Sequence, residues 1–112
     1  MTNDRYTETR AIRFEHRAAM ADGKSREYAK ESDRLANFKE VSAQIGVDPL
    51  AVAGVYWYKH VAAVQTFIRR VASGESAADV VESLSEDIEG RIMDCQEYLD
   101  IIAALIQEAR DA

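Results

Sequence analysis

The sequence predicts an all-α fold: a single domain built as a helical bundle of about four helices. Apolar residues recur at three- and four-residue spacing over two long stretches, residues 50–71 and 88–106. No stretch sustains the period-two alternation of a half-buried strand. The 112 residues hold one proline and five glycines, too few for an extended linker.

In chain order, Thr7–Met20 carries Ile12, Phe14, Ala18 and Ala19 among charges and reads as a helix that Gly23 ends. Ser25 opens a second stretch, in which Tyr28, Leu35, Phe38, Val41 and Ile45 keep a loose helical period up to the stop signal Gly46. Its start, residues 24–33, is polar enough to be a loop ahead of a shorter helix. The third helix is the clearest. Asp48 suits an N-cap and Pro49 a first turn. Leu50, Gly54, Trp57, Val61, Val64, Ile68 and Val71 form its stripe. Arg69 and Arg70 complement the dipole at its end, before Gly74. The last helix has two candidate starts, Ser76-x-x-Asp79 and the full capping box Ser83-x-x-Glu86, which fit a short helix followed by a kink near Ser83. Ile88, Ile92, Cys95, Leu99, Ile102 and Ile106 then make an unbroken stripe, read as the packing seam.

Composition narrows the function classes. A thin bundle of this size gains stability by pairing, so a homo-oligomer, dimer or larger, is expected. The polar start MTNDRYTETR has no apolar run behind it and is not a signal peptide. The longest run free of charge, Pro49–Tyr58, is too short to span a bilayer. Cys95 is alone, which excludes a disulfide framework or a thiolate zinc site and suits a reducing cytoplasm. The net charge of −6 argues against direct nucleic-acid binding, which draws on clustered cations. The charge is uneven: residues 75–112 carry −9 and residues 1–74 carry +3. An acidic last helix can therefore lie against more basic early ones, serve a magnesium site, or mimic an acidic surface.

Six carboxylates line that helix. At about 100° per residue, Glu86, Glu89, Glu97 and Asp100 point away from the stripe and read as a solvated face. Asp94 instead falls beside Tyr98, Ile101 and Leu105. A carboxylate there needs a partner or a cation, either a local ion pair through Arg91 or a ligand. His60 borders the stripe of the third helix, and Lys59 beside it is suited to pair with Asp94 or with a phosphate. His16 reads as a surface residue and Cys95 as a small hydrophobe. There is no P-loop, G-x-S-x-G or H-E-x-x-H.

The strings EYAKESDRLANFKEVSAQIG, VYWYKHVAAVQTFIR and SEDIEGRIMDCQEYLDIIAALI resemble small phage-encoded proteins. These belong near the nucleotide-modification-associated domains of the MazG-like superfamily of all-α nucleotide pyrophosphohydrolases. The resemblance rests on Tyr28–Phe38, Lys59–His60, and Glu86, Ile88, Arg91, Asp94 and Tyr98, within residues 25–106. It implies an oligomeric bundle in the host cytoplasm that binds a nucleotide, or cleaves a nucleoside triphosphate to the monophosphate and pyrophosphate, with Mg²⁺. On that reading Asp94, Glu86 and Asp33 would ligate the metal, with Glu27 and Glu31 as alternatives. Lys59, His60, Arg91 and Tyr98 would contact the nucleotide. The chain departs from the superfamily pattern in one place: residues 50–73 hold no Asp or Glu, so the E-x-x-E expected there is missing. The alternative is a non-enzymatic acidic accessory protein that binds a host protein, as a counter-defence factor or a nucleic-acid mimic.

Overall fold

The computed structural model describes residues 1–28 and 33–112 as an all-α bundle of five helices. They are α1 (Asn3–Tyr28), α2 (Ala36–Ile45), α3 (Pro49–Ala72), α4 (Ala77–Ser83) and α5 (Ile88–Asp111). No helix among the described residues is long and apolar enough to cross a membrane.

The cap signals of α2 and α3 act as their chemistry dictates. The Asp48 carboxylate accepts from the Leu50 amide at 2.8 Å, and Pro49 fills the first helical position. Gly46 closes α2 in the left-handed region at φ 75°, where its amide donates to the Ser42 carbonyl. The helix starts on either side differ from expectation. α1 runs straight through Gly23 to Tyr28, so Gly23 ends nothing and Ser25 opens nothing. α2 begins only at Ala36. At the far end, α4 is a separate helix and the chain leaves helical geometry at Leu84. α5 then starts on Asp87, whose side chain accepts from the Glu89 amide at 3.2 Å, and not on the Ser83 capping box.

α3 and α5 form the central hairpin. His60 meets Asp94 while Tyr56 meets Tyr98, so the two helices run antiparallel. α2 lies on α3, with Phe38 edge-on to both Tyr56 and Tyr98. α1 lies on α5 through Arg17, which binds Glu97 at 3.2 Å and Asp100 at 2.5 Å. Lys39 of α2 reaches Glu108 of α5 at 2.6 Å. The acidic last helix is thus lined by cations from the early ones, as the charge asymmetry suggests. The four carboxylates read as a solvated face are therefore not all free. Glu97 and Asp100 hold α1, and Glu86 holds Arg91.

Among the described side chains the core is small: Ala36, Val52, Ala53, Val80, Ile88, Met93 and Leu105 are buried, and Val80 is the largest of them fully enclosed. On α5 the covered face follows the regular stripe only at Ile88 and departs from it further along. It is centred near Tyr98 and Leu105, about 100° around the helix from it. Leu99 and Ile106 of the stripe stay 50% and 39% exposed, and Ile68 at the end of the α3 stripe is 58% exposed. Turning in one sense from the α3–α5 contact leads to the stripe on both helices. Because the helices are antiparallel, both stripes emerge on the same side of the hairpin. Turning in the opposite sense leads to Val52 and Tyr56, under α2, and to Glu97 and Asp100, under α1. One side of the hairpin is covered and the other is open.

Candidate functional site

Five of the seven residues singled out by sequence come together where α3 crosses α5. His60 reaches the crossing from the middle of α3, while Glu86, Arg91, Asp94 and Tyr98 come from the first turns of α5 and the loop before it. The helical register does this: Arg91, Asp94 and Tyr98 are three and four residues apart and share the face turned to α3.

The polar atoms form a connected set. A guanidinium nitrogen of Arg91 lies 3.2 Å from His60 Nδ1. The Asp94 carboxylate lies 3.6 Å from the same nitrogen, too far for a hydrogen bond. Arginine has only donors, so at 3.2 Å His60 Nδ1 accepts and the imidazole proton sits on Nε2. A second Arg91 nitrogen binds the Glu86 carboxylate. The side chains of His60, Asp94 and Arg91 are 15%, 23% and 21% exposed, whereas Glu86 is open to solvent. Asp94 is therefore the half-buried carboxylate its neighbours predict, and the ring that faces it across the helix pair is His60, not Lys59. Lys59 itself is exposed.

Aromatic rings wall the other side of the set. Tyr98 stacks between His60, at 5.3 Å, and Tyr56, at 6.3 Å between centroids. Phe38 closes the stack edge-on at 6.2 Å from Tyr98. Tyr56 and Phe38 are functional candidates that the sequence does not single out. The signal available was Tyr56 four residues before His60, on one face of α3.

Asp33 does not join this group. Its carboxylate accepts from the Leu35 amide at 2.9 Å and from Lys39 at 2.6 Å, and these bonds hold its pKa below the ordinary value. Among the described residues, no three His, Cys, Asp or Glu side chains converge as a metal-ligand set. Asp33, Glu86 and Asp94 are thus not brought together, and the side chains of Glu27 and Glu31 lie outside the described residues. Cys95, next to Asp94, is half-buried; burial, and then the Asp94 charge, push its thiol above the ordinary range. That suits an inert thiol.

Comparison with protein-family models, curated proteins and solved structures returns no match for the chain.

Proposed function

We propose that the chain binds a nucleotide at the α3–α5 crossing, as a divergent protein of the MazG-like kind. One arrangement supports this reading: a guanidinium, an imidazole and a carboxylate lie beside a stack of tyrosine rings. A base stacked on an aromatic ring gains about 1–3 kcal/mol. The Arg91 fork matches phosphate oxygens two at a time. Its present partner Glu86 is solvent-exposed, so a phosphate can take that place by exchanging one anion for another. Lys59, one residue from His60, supplies a further cation at the rim. Mg²⁺ is commonly held by one or two carboxylates together with the nucleotide's own oxygens. Asp94 and Glu86 fit that role without a third acid, and the bound ion would neutralise phosphate charge. The alternative of an acidic protein-binding surface draws on fewer free carboxylates than the charge count suggests, because Glu97, Asp100 and Glu108 are matched by Arg17 and Lys39.

The test is a thermal-shift screen with nucleoside mono-, di- and triphosphates, each with and without Mg²⁺. A ligand at a hundred times its Kd should add about 2.7 kcal/mol of stability. The gain should vanish in Arg91→Ala, and Asp94→Asn should remove its Mg²⁺-dependent part. Pyrophosphate release measured on the same samples separates binding from hydrolysis. A flat screen with the unaltered chain would sink the reading.

A further inference from the structure

Arg91 is the cation of the polar cluster, and both ends of its fork are engaged. Nη1 lies 3.2 Å from His60 Nδ1, and Nη2 holds the Glu86 carboxylate. Asp94 stands at the His60 end, 3.6 Å from the same ring nitrogen, so Glu86 is the anion at the other end. The two acids are held differently. Asp94 projects from within α5, and its side chain is 23% exposed. Glu86 precedes the N-cap Asp87, between α4 and α5, where Leu84 and Asp87 are both in extended conformation. Its side chain is 64% exposed. Asp87 caps α5 through the Glu89 amide without help from Glu86. Glu86 can therefore swing off Arg91 without unwinding a turn of α5, and its charge passes straight into water.

We propose that Glu86 is an autoinhibitory group: a tethered competitor that occupies the phosphate-binding fork of Arg91 until a ligand expels it. The inference rests on the nucleotide-binding reading and adds to it how the affinity of that site is set. A carboxylate offers the guanidinium a pair of oxygens and a negative charge, as a phosphate does. Glu86 stands five positions ahead of Arg91. So short a tether keeps the competitor at an effective concentration of about millimolar, far above that of a dilute ligand. Only the fraction of molecules with Glu86 swung away offers a free fork, and the apparent affinity for every anion is lowered by that fraction. Competition of this kind has a signature. It weakens all ligands of the fork by one factor, whatever their charge, because the competitor has left once any of them is bound. Plain repulsion by a nearby carboxylate instead grows with the charge of the ligand.

The test removes the competitor. Binding of nucleoside 5′-monophosphates and of their methyl phosphodiesters is followed by NMR titration of the full chain, with divalent metal chelated so that metal ligation plays no part. The two probes share base and sugar, but the monoester carries about 1.5–2 negative charges at pH 7 and the diester only one. Glu86→Gln, at a largely exposed side chain, should tighten both by the same factor, about two- to fivefold, the range that an exposed ion pair allows. Glu89→Gln removes the same charge from an exposed position in the first turn of α5 and should leave both affinities as they are. Unchanged or weaker binding in Glu86→Gln, an equal gain in Glu89→Gln, or a gain larger for the monoester would overturn the inference and leave the nucleotide reading standing. Silence of both probes, with the parent and with Glu86→Gln, would overturn the two together.

Discussion

Trp57 carries the one buried side-chain nitrogen without a hydrogen-bond partner among the described residues. Leaving such an N–H unmade costs about 1–3 kcal/mol, a debit already present in the native state. Trp57→Phe removes that group together with part of the ring. The lost packing and the relieved desolvation oppose each other. Urea unfolding should therefore find the variant within about 1.5 kcal/mol of the parent. A loss of the size seen on truncating a fully packed aromatic, about 3–5 kcal/mol, would show that the nitrogen is engaged in solution. Single positions were legible in the sequence to different depths. Asp94 could be picked out because its own helix surrounds it with Tyr98, Ile101 and Leu105. The ring that faces it could not, because His60 lies 34 residues away and Lys59 beside it is the stronger base. Which of two adjacent side chains faces α5 depends on the rotation of α3, and that is settled by packing.

α1 is attached differently from the rest. It exposes Ile12 and Phe14, contributes no buried core residue among the described side chains, and meets α5 through Arg17. The Arg17 side chain is only 16% exposed, so its pairs are partly shielded from water, and losing them should loosen this helix first. Arg17→Ala, or salt high enough to screen the pairs, should speed hydrogen exchange of α1 amides while α3 and α5 keep their protection. Equal acceleration everywhere would mean that α1 is integral to the core. The helices differ in how far their signals carry. α3 was readable from end to end because Asp48, Pro49, Arg69 and Arg70 each act locally. Gly23 misled because glycine inside a helix costs only about 1 kcal/mol, which neighbouring turns outweigh. The start of α5 was missed because two serines and Asp87 all qualify as caps, and the structure uses the aspartate. The covered face of α5 was missed for a deeper reason. Periodicity finds the most regular apolar stripe, whereas α3 settles on the flank where Tyr98, Arg91 and Asp94 meet its own rings and His60.

For the protein taken together, pH acts through local ion pairs at the start of α2 and the end of α3. Hydrogen bonds from Lys39 and the Leu35 amide lower the pKa of Asp33 from 3.8, and Arg70 lowers that of Glu75 from 4.5. Lys39 and Arg70 are raised in return by the same bonds. Each depressed carboxylate adds stability that is complete above its unfolded value and lost as pH falls through the lower folded one. Acid also relieves the repulsion of a −6 chain, but at physiological salt that long-range term is screened within about 8 Å. The melting temperature should therefore stay level near neutrality and fall below about pH 4.5, by less in high salt. A melting temperature that rises on acidification would show that repulsion dominates. The helix that Arg17 and Lys39 reach, α5, is also the one made after all its partners. Arg17 finds Glu97 80 residues further along. At roughly 5–20 residues per second, a ribosome leaves α1 without its binding surface for about 4–16 s. During synthesis α1, α2 and α3 are chain segments waiting for α5, so the domain cannot consolidate progressively from its first helix. It folds when α5 emerges, and the side of α3 that faces α5 stays uncovered until then.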